Sequence, residues 1–222
     1  MAKKALVLVS GGLDSATCLY WAKDKYDVVQ AITFNYYQRI HREKIASRII
    51  TKLAKVNLFE VKIPFIKEKS LYFHFKTRSN GEASQSYIPL RNLIFYSISG
   101  YFAQVNKIRN LVGGHNATDG NVFNDATAPY FRKMNELIEE GLLDSVDCKI
   151  ILPLKNMSRP RVIRLAMRLN VPIELTWSCH RQGKVHCGKC YACIQRLNAF
   201  NLLGLKDPAP YYNLKKATID YV

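Results

Sequence analysis

The sequence predicts a doubly wound α/β domain on a mainly parallel sheet, followed by a small C-terminal lobe built round cysteines. Three observations support this. Short apolar runs alternate with amphipathic stretches at roughly 25–30 residues per pair, the βαβ pattern that implies parallel strands and right-handed crossovers. The first apolar run ends in Ser10-Gly11-Gly12, a tight turn into a helix. After Val171 the alternation stops, and four cysteines crowd between Cys179 and Cys193.

Ala5 to Val9 is apolar throughout and reads as a strand buried on both faces. Asp14 to Lys23 reads as a helix with Ala16, Leu19, Tyr20 and Ala22 on its apolar side. Val28 to Phe34 is a second buried strand. His41 to Leu53 is helical, with Ile45, Ile49 and Leu53 as its apolar row, and Leu58 to Val61 is a short third strand. From Pro64 to Pro89 the pattern dissolves. Phe65, Tyr72, Phe73, Phe75 and Tyr87 alternate with polar residues there, over a length that marks a functional loop or lid. Arg91 to Val105 resumes as a helix, and Ile108 to Val112 as a strand ending in Gly113-Gly114. His115 to Thr127 reads as a polar loop. Pro129 opens a helix that Gly141 stops. Ile150 to Leu152 is a short strand. Ser158 and Pro160 open a helix through Leu169, lined by Val162, Leu165, Ala166 and Leu169. A helix from Tyr191 to Leu203 and a Pro- and Lys-rich tail close the chain. The expected division is an α/β domain over residues 1–170 and a lobe over 171–222.

With 222 residues, 48% apolar and 11% aromatic, the chain is globular in composition. No apolar run approaches the roughly 18 residues of a membrane span. The apolar run after Met1-Ala2-Lys3-Lys4 is too short for a signal peptide, so a cytoplasmic protein is expected. Thirty-three basic against 17 acidic side chains give +16. Nucleic-acid binding is one reading of that charge; solvated basic helix faces, or steering of anionic small molecules, are the other. Cys18 and Cys148 are isolated and read as small buried hydrophobes.

A strand ending in Ser-Gly-Gly at a helix start suits a phosphate. Glycine lets the backbone approach the oxygens, successive N–H groups converge, and the helix start adds positive potential. Ser10 and Ser15 add hydroxyl donors, and Asp14 is placed to cap the helix or to help hold magnesium. A tight strand-to-helix connection with no ligand is the plain alternative. A Walker A loop would carry a lysine that is absent here, so pyrophosphate recognition and AMP transfer fit better than γ-phosphate transfer.

Cys179, Cys187, Cys190 and Cys193 read C-x7-C-x2-C-x2-C. That spacing suits a closed tetrahedral zinc site, with an iron–sulfur cluster or a Cys187/Cys190 redox pair as alternatives. Gly183 and Gly188 let the backbone wrap, Lys184 and Lys189 offset the thiolate charge, and His180 and His186 read as bystanders.

Ser10-Gly11-Gly12-Leu13-Asp14-Ser15 resembles the loop of the N-type ATP pyrophosphatases, which have an adenine nucleotide alpha hydrolase-like fold. Five segments in order resemble the 7-cyano-7-deazaguanine synthase (QueC) family in particular. They are Asp14 to Leu19, Thr33-Phe34-Asn35-Tyr36-Tyr37-Gln38-Arg39, Pro89-Leu90-Arg91-Asn92, Gly114-His115-Asn116-Ala117-Thr118-Asp119, and Thr176-Trp177-Ser178-Cys179 with Cys187-Gly188-Lys189-Cys190. Two stretches depart from that family. Asn121 to Thr127 stands where it usually shows S-G-Y-P-D-C-R, and Arg159 stands where a lysine usually follows Pro153-Leu154.

The resemblance implies an ATP-dependent ligase of queuosine and archaeosine biosynthesis. It would convert 7-carboxy-7-deazaguanine and ammonia to the nitrile by two successive adenylations. It implies ATP, Mg2+ and Zn2+ as cofactors and a homodimer. The +16 charge keeps a tRNA-modifying pyrophosphatase as the alternative, and the altered Asn121 to Thr127 loop leaves open attachment of the deazaguanine to a protein amine. Catalytic roles are expected for Ser10, Asp14, Ser15 and Arg91 (a surface ion pair being the plain alternative for Arg91), and for Asp119 and Asp125 at magnesium or the substrate ring nitrogens, with Phe123 either stacking on the deazaguanine or serving as a core aromatic. Nucleotide contacts are expected from Val9 through Leu19 (Val9, Ser10, Gly11, Gly12, Leu13, Asp14, Ser15, Ala16, Thr17, Cys18, Leu19) and Phe34, with the backbone from Thr33 to Asn35 at the adenine. Metal ligation is expected from the four clustered cysteines.

Overall fold

The computed structural model describes residues 2–37, 39–66, 88–141 and 147–212. Gln38, the Ser70 to Tyr87 stretch, and the tail lysines Lys215 and Lys216 lie outside the described residues.

Five strands form one sheet: β1 (Lys4–Leu8), β2 (Val28–Tyr36), β3 (Asn57–Ile63), β4 (Asn110–Val112) and β5 (Lys149–Ile151). Their order is β3-β2-β1-β4-β5 and every pair is parallel. The chain winds outward from β1 to β3, then returns to pair β4 against β1. That reversal opens a crevice at the carboxyl ends of β1 and β4, where open α/β sheets bind ligands.

Alternate residues of β1 feed two cores. Ala5 and Val7 point into a cluster with α1 (Leu13–Lys25), α2 (His41–Leu53), α6 (Arg159–Arg168) and α7 (Tyr191–Asn201). Leu6 points into a second cluster with α3 (Arg91–Val105) and α5 (Ala128–Gly141). Helices therefore cover both faces, and the strands read as unbroken apolar runs for that reason. Cys18 and Cys148 are buried in these cores as expected.

The expected α/β order holds throughout, with ends coinciding or shifted by one or two residues. Two local expectations fail. Ile49 and Leu53 point outward at 39% and 54% exposure, while Ala46, Ile50 and Ala54 are buried. The cause is the closeness of α2 to the Ser10–Gly12 turn. A Cβ on Gly11, whose φ is +98°, would lie 2.4 Å from the Glu43 carbonyl oxygen and 3.1 Å from the Ala46 Cβ, so at the turn the inner face of α2 carries the small residues Ala46 and Ser47, with Ile50 buried farther along it. The stretch His115 to Thr127 is not all loop. It holds a single helical turn, α4 (Asp119–Val122), and a 3-10 turn at Asn124–Ala126.

The cysteine-bearing segment shares the domain core. Cys179, Cys193, Ala199 and Phe200 pack in the same cluster as α1 and α6. Arg196, 3% exposed, forks onto Asp207 through Nε and Nη2 at 2.7 and 3.0 Å. Its Nη1 donates to Thr176 Oγ1 and Ser178 Oγ at 2.7 and 3.2 Å, and Nη2 also donates to the Ile173 carbonyl at 3.0 Å.

Candidate functional site

The turn after β1 is tethered from outside at two carbonyls and braced within. Trp177 N–H donates to the Gly11 carbonyl at 2.8 Å, and Arg39 Nη2 donates to the Ser10 carbonyl, also at 2.8 Å. Within the turn, Ser10 N–H donates to Ser15 Oγ at 3.2 Å, and Ser15 Oγ–H donates to the Gly12 carbonyl at 3.0 Å. Gly12 is the N-cap of α1 and brings no side chain to it. The first N–H groups of α1 therefore lack both an intrahelical acceptor and a side-chain cap, the arrangement that takes an anion.

Behind this turn lies a polar wall. A Cβ on Gly114 would sit 2.9 Å from the Ser15 nitrogen, so the loop after β4 can press directly onto α1. That loop brings Asn116 to Asp14. Asn116 Nδ2 donates to Asp14 Oδ2 at 2.8 Å, and Asn116 N–H donates to Asp119 Oδ2 at 3.0 Å. Asp14 does not cap α1; its carboxylate is held by Asn116. Burial, with the Asp119 charge adding, pushes the Asp14 carboxyl from 3.8 up to about 6. Burial also raises Asp119, against the pull of Arg159, whose guanidinium lies 4.0 Å away. His115 Nδ1 is 3.9 Å from Asp119. Its ring lies between Tyr96 and Phe131, at 5.9 and 4.8 Å, and burial followed by the Arg91 charge lowers it to about 3. The imidazole is therefore neutral, and the His115–Asp119 contact is not an ion pair.

These groups line one cavity of about 370 Å³ at the carboxyl end of the sheet. Val9, Ser10, Gly12, Leu13, Asp14, Ser15, Thr33 and Phe34 form one side. Thr33 Oγ1 is buried and, among the described residues, has no partner. Arg91, Phe95, Tyr96, His115, Asp119, Phe123 and Arg159 form the other side. The Arg91 guanidinium stacks over Phe123 at 5.4 Å, making a flat cationic and aromatic plate. Trp177, Ser178, Ala192 and Arg196 close a third side from the C-terminal segment.

The four cysteines converge. Their sulfurs all lie within 4.8 Å of one another, with Cys187–Cys193 and Cys179–Cys190 at 3.9 Å. Tetrahedral bonds of about 2.3 Å put thiolates about 3.8 Å apart, so this set can hold one ion. Backbone N–H groups of Arg181 and Cys187 point at the Cys179 sulfur, and those of Lys189 and Cys190 at the Cys187 sulfur. Such donors suit charged thiolates better than thiols. Gly188 takes the left-handed φ of +71° that the wrap needs. His186 is no ligand. It is buried against Trp177 and Tyr211, and its Nε2 accepts from Ser178 N–H at 3.2 Å.

Comparison with known proteins fits this architecture. The sequence pattern of the family described as queuosine biosynthesis protein QueC matches residues 4–204. The chain belongs to the QueC family. A 7-cyano-7-deazaguanine synthase of Campylobacter jejuni serotype O:2 is 34% identical over 95% of this chain and 99% of its own. That of Thermoplasma volcanium is 36% identical over 95% and 92%. The solved structure of NMN synthetase from Francisella tularensis shares the fold, with a TM-score of 0.54 and 17% identity over 92% of this chain and 79% of that one.

In this QueC chain the cavity gathers Ser10, Asp14, Ser15, Arg91, Asp119, Phe123 and Phe34. Asp125 is turned elsewhere: its carboxylate accepts from Asn92 N–H at 3.1 Å in the first turn of α3, and it is not among the lining residues. Ala16, Cys18 and Leu19 are fully buried in the core behind the turn, and Thr17 Oγ1 donates to the Leu13 carbonyl. Arg39, Asn116, Trp177 and Ser178 stood in the matched segments without a role; Arg39 and Trp177 tether the turn, and Asn116 holds Asp14. Arg196 had one signal, an arginine within an otherwise mostly uncharged helix.

Proposed function

We propose that this chain is a carbon–nitrogen ligase converting 7-carboxy-7-deazaguanine and ammonia, with ATP, to 7-cyano-7-deazaguanine. One observation carries the reading. A single cavity in a QueC-family chain joins an uncapped helix start and serine hydroxyls to an arginine, paired carboxylates and an aromatic plate.

ATP would supply the adenylyl group that turns a carboxylate or amide oxygen into a leaving group. Ser10, Gly12, Ser15 and the first N–H groups of α1 would cradle its phosphates. Thr33 and Phe34 would meet the adenine, and the orphaned Thr33 hydroxyl supports that assignment. Asp14 and Asp119 would hold Mg2+, because both carboxyls are pushed toward protonation by burial and a cation relieves that. Arg91 would orient the substrate carboxylate beside the Phe123 ring. Neutral His115 keeps a polar edge on the cavity wall without adding charge. The four cysteines would hold Zn2+ as a closed, structural centre outside the chemistry.

Incubation with ATP, magnesium, ammonium and 7-carboxy-7-deazaguanine should yield the nitrile and AMP together. If neither forms, the reading is wrong. Elemental analysis should give about one zinc per chain; an iron chromophore would replace zinc in the assignment.

A further inference from the structure

Arg196 lines the cavity, paired with Asp207, and has no donor to spare. Its five N–H groups face Asp207 twice, the Ile173 carbonyl, Thr176 Oγ1 and Ser178 Oγ, with the Thr176 carbonyl as a longer contact of Nη1 at 3.5 Å. Nothing entering the cavity can be bound by this guanidinium directly without breaking one of those bonds.

Ser178 is the outlet of that network. Its Oγ accepts from Arg196 at 3.2 Å, and its N–H is fixed on His186 Nε2. Among the described residues no acceptor takes its hydroxyl proton, and the residue lines the cavity. A hydroxyl that accepts from a cation is polarised into a stronger donor. Its place is set by the neighbouring residue: Trp177 N–H holds the Gly11 carbonyl, and a Cβ on Gly12 would sit 3.6 Å from the Trp177 carbonyl oxygen. Ser178 therefore faces the same end of the cavity as the Ser10–Ser15 turn.

We infer that Ser178 Oγ–H is a ligand-binding donor to an anionic oxygen, and that the buried Arg196–Asp207 pair positions and polarises it. The inference rests on the reading proposed above. The anionic oxygen belongs either to a nucleotide phosphate or to the carboxylate of the deazapurine. Asp14, which burial and the Asp119 charge push up, lines the same cavity as Ser178 and Arg196, so the network and the phosphate turn face one space.

The test is calorimetric titration of the metal-loaded protein with ATP–Mg2+, and separately with 7-carboxy-7-deazaguanine, without ammonia. Ser178→Ala should weaken one of the two ligands roughly tenfold or more, the range for a charge-assisted hydrogen bond, and the ligand affected names the oxygen. Ser178→Thr should bind within about threefold of the wild type, because it restores the hydroxyl. Arg196→Lys should weaken the same ligand, and the double variant should be no worse than Ser178→Ala alone, as expected for a relay. If Ser178→Ala fails to fold, Arg196→Lys alone carries the test: binding of both ligands unchanged in it overturns the inference. Wild type that binds neither ligand sinks the functional reading and this inference with it. Wild type that binds, beside a Ser178→Ala that binds both ligands equally well, sinks the inference alone, even if the variant melts lower.

Discussion

Asp14 should be a residue that costs the protein stability. Its carboxyl sits at the cavity floor, against Asn116 and near Asp119, and is pushed from 3.8 to about 6. A group whose pKa is raised on folding favours the native state below its unfolded pKa. It loses that advantage as pH rises through the folded value, here between about 3.8 and 6. The full displacement corresponds to about 3 kcal/mol. The carboxylate still faces cavity water, so about 1–3 kcal/mol is the expected range. Asp14→Asn keeps an oxygen for the Asn116 amide and removes the charge. It should therefore be more stable than the wild type by that amount at pH 7.5, with the gap closing toward pH 4, while AMP formation is lost. Urea unfolding of both proteins from pH 4 to 8, read as the difference at each pH, cancels the shared cysteine titration. A variant less stable at pH 7.5, or a gap flat across the range, would refute the reasoning.

Three other outcomes follow from the geometry. Gly11→Ala puts a Cβ 2.4 Å from the Glu43 carbonyl at a φ of +98°, so it should lose several kcal/mol in urea unfolding and lose ATP binding by calorimetry. Removing the metal with a chelator, or Cys187→Ser, should lower the melting temperature. It should also weaken ATP binding, because Trp177, which tethers Gly11, lies two residues from Cys179. His115→Val should unfold at a lower pH than the wild type in an acid titration, with little change at pH 7.5. A depressed imidazole is stabilising above about 6.5 and loses that contribution as pH falls toward 3.

The sheet was legible because its strands are buried on both faces, so each appears as an apolar run with a helix after it. The apolar row of α2 misled, since periodicity cannot say that a glycine turn will press on one side of a helix. That closeness puts Ala46 and Ser47 inward; Ile50 is buried on the same face, while Ile49 and Leu53 turn out. The cysteine centre was legible from spacing alone. The polar wall was legible only as motif letters. Asn116 reaches Asp14 across 102 positions of sequence, and Ser178 meets Arg196 across 18; no local pattern encodes either contact. Asp125 shows the opposite limit: a motif aspartate can serve a helix start rather than the cavity.

Asp14 and His115 also bear on each other's pH dependence. On acidification from about 6.5 to 4, neutral His115 withdraws stability as the unfolded chain takes up its proton, about 3 kcal/mol over that range. Over nearly the same interval Asp14 takes up a proton in the folded state and returns about 1–3 kcal/mol. The two oppose each other, so the wild type should be less sensitive to mild acid than His115 alone implies. Asp14→Asn unmasks His115 and should steepen the loss of stability between pH 6 and 4, whereas Asp14→Asn with His115→Val should flatten it again. If the single variant is no steeper than the wild type, Asp14 is less perturbed than its burial requires; if the double variant is as steep as the single one, His115 is.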